Sequence, residues 1–157
     1  MVEVSELKGI EFFSTLSDEQ LQEVANITSR RSFRANALIY RQGQSAGELF
    51  IIEKGLVSLR GLKSEEDLML AFELCEPGDL FGAASLLKDQ TYTLDAVCVE
   101  NTDVFVIDAH GLSRLCERDF ELGYRLMMEI AQLYFDRYEV AKRELGVPMA
   151  SRKTAAT

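Results

Sequence analysis

Two hydrophobic periods divide the chain. Leu7, Ile10 and Phe13 recur three apart, the spacing of one helical face, and predict a short helix over Ser5 to Phe13. Ser17-Asp18-Glu19-Gln20 then forms a capping box: the Ser17 hydroxyl accepts from an early helix N–H while Gln20 reaches back. Leu21, Val24, Ala25 and Ile27 supply the apolar side of that second helix. From about Arg30 the helical period disappears. Short apolar runs follow at 38–40, 49–52, 56–59, 68–72, 92–99 and 104–107, with turn signals at Gly43, Gly47, Gly55 and Gly61 and a charged segment, KSEED at 63–67, that predicts a hairpin tip. Many short strands at such intervals predict a mainly β fold with flanking helices, an antiparallel sandwich or jelly-roll barrel (a double-stranded β-helix).

After Ile107 the helical period returns. Gly111 to Leu115 predicts a short helix, and a long one runs from Asp119 to Leu145, stopped by Gly146 and Pro148. One domain over 1–145 with an unpatterned tail over 146–157 is the expected organisation. The long helix carries two apolar stripes. Leu122, Leu126, Ile130 and Leu133 form one; Phe120, Tyr124, Met127, Ala131, Tyr134, Tyr138, Ala141 and Leu145 alternate steps of four and three in a heptad seam. One stripe suffices to cover a barrel. The second predicts a partner, and parallel pairing of two such helices in a homodimer is the expectation, with burial of both stripes inside one chain as the alternative.

Composition narrows the function classes. With 17 basic against 26 acidic residues the net charge is −9, which disfavours direct DNA binding, since that needs clustered Lys and Arg to displace phosphate counterions. Cys75, Cys98 and Cys116 match no paired CxxC pattern and predict buried thiols in a reducing compartment. His110 is the only histidine, so a multi-histidine metal site is excluded. No apolar run is long enough for a membrane span and the N-terminus lacks a signal-peptide pattern, so a cytoplasmic location without membrane association is expected. Nothing marks Ser85 as a nucleophile, and an enzyme is not expected.

The stretch Cys75 to Val97 carries the candidate chemistry. A Pro77-Gly78-Asp79 turn leads to Leu80, Phe81 and then Gly82, at the mouth of a short helix of small residues, Ala83, Ala84 and Ser85. A glycine there lets backbone N–H groups approach an anion such as phosphate. The other reading is a loop that packs one end of the barrel.

Residues 43–57, GQSAGELFIIEKGLV, resemble the glycine turn and strand pair of the cyclic nucleotide-binding domain family, found in catabolite-activator-type regulators and in the regulatory subunit of cyclic AMP-dependent protein kinase. Residues 78–87, GDLFGAASLL, resemble that family's entry to its phosphate-binding cassette, and the similarity in element order covers about Leu7 to Leu145. The resemblance implies a sensor domain whose cassette, here Phe81, Gly82, Ala83, Ala84 and Ser85 with Tyr92 and Thr93, takes a cyclic nucleotide or another small ligand. It also implies a glutamate directly after the glycine and an arginine ten or eleven residues later. Those positions hold Ala83 and Tyr92 or Thr93, and no arginine lies between Lys63 and Gly111, where Lys88 is the only cation after Lys63. Hydrogen bonds to charged groups contribute roughly 1.5–3 kcal/mol each, and a micromolar ligand corresponds to about −8 kcal/mol. Without both anchors, cyclic AMP or cyclic GMP is expected to bind at about millimolar strength or not at all.

Tyr92 and Thr93 can still donate to a less charged ligand, and Tyr134 or Tyr138 can stack over a ring if the long helix closes the pocket. Twelve residues follow Leu145, too few for the helix-turn-helix of the transcription regulators. Output is therefore expected through an unidentified effector protein. The alternative is a structural dimerisation module whose pocket is filled by Phe72, Tyr92 or Leu94.

Overall fold

The computed structural model describes residues 2–63, 68–88 and 90–146. The first predicted helix is split. α1 (Val4–Lys8) ends at Gly9, Ile10 is extended, and a 3₁₀ turn (Glu11–Phe13) follows. Glycine is a poor helix former, and the break turns Phe12 and Phe13 together into the core. α2 (Asp18–Asn26) opens with the predicted capping box: Gln20 N donates to Ser17 Oγ, and Ser17 N donates to Gln20 Oε1.

Among the described residues eight strands follow: β1 (Thr28–Phe33), β2 (Leu38–Tyr40), β3 (Glu48–Lys54), β4 (Val57–Lys63), β5 (Leu68–Cys75), β6 (Leu80–Phe81), β7 (Asp95–Cys98) and β8 (Thr102–Asp108). They form two antiparallel four-stranded sheets, β1-β8-β3-β6 and β2-β7-β4-β5. The continuous apolar runs of β3 and β8 have a direct cause, because their sheet is covered on both faces. Leu49, Ile51, Phe105 and Ile107 pack with the helices, whereas Phe50, Ile52, Val104 and Val106 point between the sheets. Lys63 pairs with Leu68 at the end of the β4–β5 hairpin; the tip predicted at 63–67 otherwise lies outside the described residues. The run predicted as a strand over 92–99 is shorter in the structure. Tyr92 leaves the ladder because its N–H donates to Gln44 O and its carbonyl accepts from Gly43 N, which ties it to the β2–β3 loop instead.

α3 (Ala109–Arg118) is longer than predicted, since the Asp108 side chain caps it at Gly111 N. α4 (Phe120–Leu145) is capped by Asp119, whose carboxylate accepts from Leu122 N. Leu122 and Leu126 are buried, with Ile130 and Leu133 packed against the same cluster, so this stripe is the one that packs α4 into the core with α3 and the 3₁₀ turn. Gly146 follows α4; Pro148 and the tail lie outside the described residues.

Cys75 and Cys98 are buried as expected, while Cys116 is only half-buried, because it sits near the α3–α4 corner and not between the sheets. Burial pushes the Cys75 thiol up to about 12 and raises Cys98 and Cys116 as well. Iodoacetamide at pH 8 is therefore expected to leave Cys75 and Cys98 unlabelled in the native protein and to label all three in denaturant, as read by intact mass. Rapid native labelling of Cys75 would contradict its placement.

Candidate ligand-binding pocket

The Pro77-Gly78-Asp79 turn is fixed from both sides. Asp79 Oδ2 accepts from Glu76 N, Gly78 N donates to Ile52 O, and Ile52 N donates to Asp79 O. β6 then delivers the chain to Gly82, whose φ of +81° is left-handed. A Cβ there would lie 3.1 Å from Phe50 Cδ2 and 3.2 Å from Glu48 O. Glycine is required by conformation, and the space beside it is tight. The predicted small-residue helix is a single 3₁₀ turn, Ala83–Leu86.

A cavity of about 110 Å³ lies against this turn. Gly82, Ala83, Ala84, Tyr92 and Thr93 line it, so five of the expected site residues come together. Phe81 and Ser85 do not line it. Phe81 stacks on Phe50 between the sheets with ring centroids 5.1 Å apart. Ser85 is buried, and its hydroxyl donates to Gly82 O at 2.8 Å, a bond that stiffens the turn.

Tyr92 is held as a wall. Its ring stacks on Tyr40 at 3.7 Å and 8°, its hydroxyl donates to Glu48 O at 2.8 Å, and it accepts from Glu48 N at 3.2 Å. Burial raises the Tyr40, Tyr92 and Tyr134 hydroxyls, so all three stay neutral at pH 7. From α4, Tyr134 lines the cavity, but Tyr138 does not reach it; the Lys142 ammonium lies over the Tyr138 ring instead. Phe72 is 58% exposed and stands outside the cavity, whereas Leu94 lines it.

The cation missing from the cassette sequence comes from α4. Arg137 enters the cavity, where Nη2 donates to Leu80 O at 3.0 Å and Nε lies 2.5 Å from Glu73 Oε1. That ion pair is close but poorly aligned, which leaves the Nε hydrogen without a hydrogen bond. Glu73, Arg137 and Tyr40 were not among the residues expected at the site. One pattern does point to Arg137: it continues the core-facing stripe of Leu126, Ile130 and Leu133 by a step of four, where a charge needs a partner.

Burial raises the Glu73 carboxyl above its ordinary 4.5 and nearby Asp79 adds to this, while Arg137 opposes it. As pH climbs from 4.5 through the raised native value, the folded state holds a proton that the unfolded chain has lost. Stability from this group is greatest below that window and falls across it. Glu73→Gln is expected to flatten that part of the profile, read as the difference in urea midpoints between variant and parent from pH 4.5 to 7. An unchanged slope would contradict the assignment.

Among the described residues no cluster of three or more His, Cys, Asp or Glu is placed to hold a metal ion, and no helix is long and apolar enough to cross a membrane. The model of the family described as cyclic nucleotide-binding domain matches residues 30–119, more than half of the chain. The chain belongs to the cyclic nucleotide-binding domain family. Its sandwich, N-terminal helices and long C-terminal helix are the regulatory, sensor-type fold of that family. The Anaerobic regulatory protein of Bacillus subtilis is 26% identical over 114 residues, which are 71% of this chain and 47% of that protein. The Cyclic AMP receptor protein of Thermus thermophilus is 30% identical over 102 residues, 64% of this chain and 46% of that one. A solved cyclic nucleotide-binding-type protein of Geobacter metallireducens superposes with a TM-score of 0.76 at 29% identity, covering 88% of this chain and 99% of its own. This cyclic nucleotide-binding domain spans about half the length of the two curated relatives.

Proposed function

We propose that this cyclic nucleotide-binding domain is a cytoplasmic, non-enzymatic regulatory module that does not take cyclic AMP or cyclic GMP in the family's usual way and acts through a partner protein. The observation that carries this reading is the small cavity: about 110 Å³, walled by Tyr92 and occupied by the Arg137–Glu73 pair. Pockets for nucleotide-sized ligands run from about 300 Å³ upward. Ala83 places a methyl group where the family resemblance calls for a ribose-binding carboxylate. Arg137 supplies charge, but it is already engaged by Glu73 and Leu80 O, so an incoming phosphate would have to displace both.

The regulatory step lies in α4. Arg137 and Tyr134 belong to that helix and line the cavity, so whatever favours one placement of α4 changes the surface it presents. The exposed seam of the same helix suits a homodimer, and the charge of −9 disfavours DNA as the direct target. A ligand-free dimerisation module is the second reading, favoured by the Tyr40–Tyr92 stack that fills the pocket wall.

Thermal unfolding tests the ligand statement. A micromolar ligand at 1 mM stabilises by about 4.1 kcal/mol, which for a chain of this size is a rise of about 8–16 °C. With 1 mM cyclic AMP or cyclic GMP we expect a shift below about 2 °C. A rise in the larger range would overturn the reading.

A further inference from the structure

We propose that the groove between β5 and α4, on the outer side of the Arg137–Glu73 pair, docks a basic amphipathic segment of a partner protein. The groove has a volume of about 300 Å³, an apolar floor that includes Phe72, Leu133 and Val140, and a rim that includes Asp79, Asp136 and Glu144. Phe72 and Val140 are 58% and 53% exposed, unusual for a phenylalanine on a strand and a valine on a packed helix. Past Asp79 and Asp136 the groove continues into a second hollow of about 230 Å³, where Glu11 and Glu129 extend the acidic edge.

Charge complementarity selects the occupant. Among the described residues no Lys or Arg pairs with Asp79, Asp136, Glu144, Glu129 or Glu11, and the one cation in the groove, Arg137, is committed to Glu73. An apolar floor between uncompensated carboxylates fits a segment with leucine-like side chains on one face and Lys or Arg beside them. Nucleic acid and anionic lipid carry the wrong charge. The groove face of α4, with Glu129, Leu133, Asp136 and Val140, lies away from the face that carries Tyr124, Ala131 and Tyr138. Of the seam positions only Ala141 also lines the groove, so a docked segment and a paired α4 meet at that end alone. The inference rests on the partner clause of the proposed function and not on its ligand clause, which thermal unfolding with cyclic nucleotides tests separately.

The test is fluorescence anisotropy of the full chain at physiological salt with a labelled helical peptide of about 18 residues, leucine on one face and lysine on the other. Saturable binding is expected. Glu129→Lys with Asp136→Lys should weaken it at least about tenfold, whereas Glu19→Lys with Glu100→Lys, the same charge change elsewhere on the surface, should change it less than about twofold. Phe72→Ser, which leaves every charge in place, should also weaken it about tenfold, as should serine in place of leucine in the peptide.

Equal loss from both pairs of charge reversals, or undiminished binding of the serine peptide, would reduce the effect to net charge and overturn the proposal. Two other occupants would overturn it as well. A tenfold gain on Arg152→Ser with Lys153→Ser would assign the groove to the chain's own tail, and a halved mass in light scattering for the Glu129→Lys, Asp136→Lys protein would assign it to a second copy.

Discussion

Replacing Gly55 by alanine is expected to lower the melting temperature by about 10 °C, a loss of about 4 kcal/mol. Gly55 joins β3 to β4 with a φ of +109°, which L residues rarely adopt. A Cβ would sit 2.4 Å from Thr102 Oγ1, 2.6 Å from Asn101 O and 2.7 Å from Thr102 Cα. Two of those atoms are backbone and cannot swing away. Thr102 is buried, and its hydroxyl bonds to Leu56 N and to Glu100 O, so the clash falls on the bonds that hold the β7–β8 turn against this hairpin. Backbone strain of about 1–3 kcal/mol adds to overpacking of about 1–3 kcal/mol. Gly47, in the same glycine-punctuated stretch, has open space at its Cβ and no positive φ, so Gly47→Ala should shift the melting temperature by less than about 2 °C. Calorimetric scans of both variants check the contrast, and similar shifts for the two would contradict it.

Charges placed on the α4 seam are expected to convert a dimer to a monomer. Phe120 is 81% exposed, Tyr124 68% and Tyr138 60%, a row of aromatic rings along a helix of 26 residues. Met127, Ala131 and Leu145 continue the exposed row, while Leu122 and Leu126 are buried on the opposite side. A solvent-facing stripe of this extent on a well-capped helix matches the a and d positions of a parallel pair. Light scattering of the parent protein should give twice the chain mass of 17.7 kDa at micromolar concentration. Tyr124→Glu with Tyr138→Glu places uncompensated charges at the seam, each costing about 3–5 kcal/mol if buried. The dissociation constant should rise more than about a hundredfold and the single-chain mass should appear. A parent protein that stays at 17.7 kDa across that range would remove the seam as an interface.

The parts of the fold that were legible in the sequence are those fixed by local chemistry. Ser17 and Gln20 make both capping bonds, and the unbroken apolar runs of β3 and β8 follow from a sheet covered on both faces. Gly82 could be placed at a turn mouth because few other residues adopt its conformation. The site's chemistry was less legible, since it depends on residues far apart in sequence. The family resemblance implies an arginine within the cassette, where this sequence has none; the cavity receives one from α4, and Arg137 and Glu73 meet only because the core stripe of α4 docks where it does. Tyr92 was legible as a candidate ligand contact. Its role as a wall depends on Tyr40 and on the Glu48 backbone, which the strand pattern does not reveal.

The most direct measurement follows the backbone N–H groups of Gly82, Ala83 and Ala84 by ¹⁵N-resolved NMR while cyclic AMP is added to the full chain up to about 1 mM. With Arg137 held by Glu73 and Leu80 O over a cavity of about 110 Å³, these three resonances should show no saturable movement. Saturable shifts confined to those amides, with half-saturation on the order of micromolar, would show that the cassette takes cyclic AMP and would contradict this account.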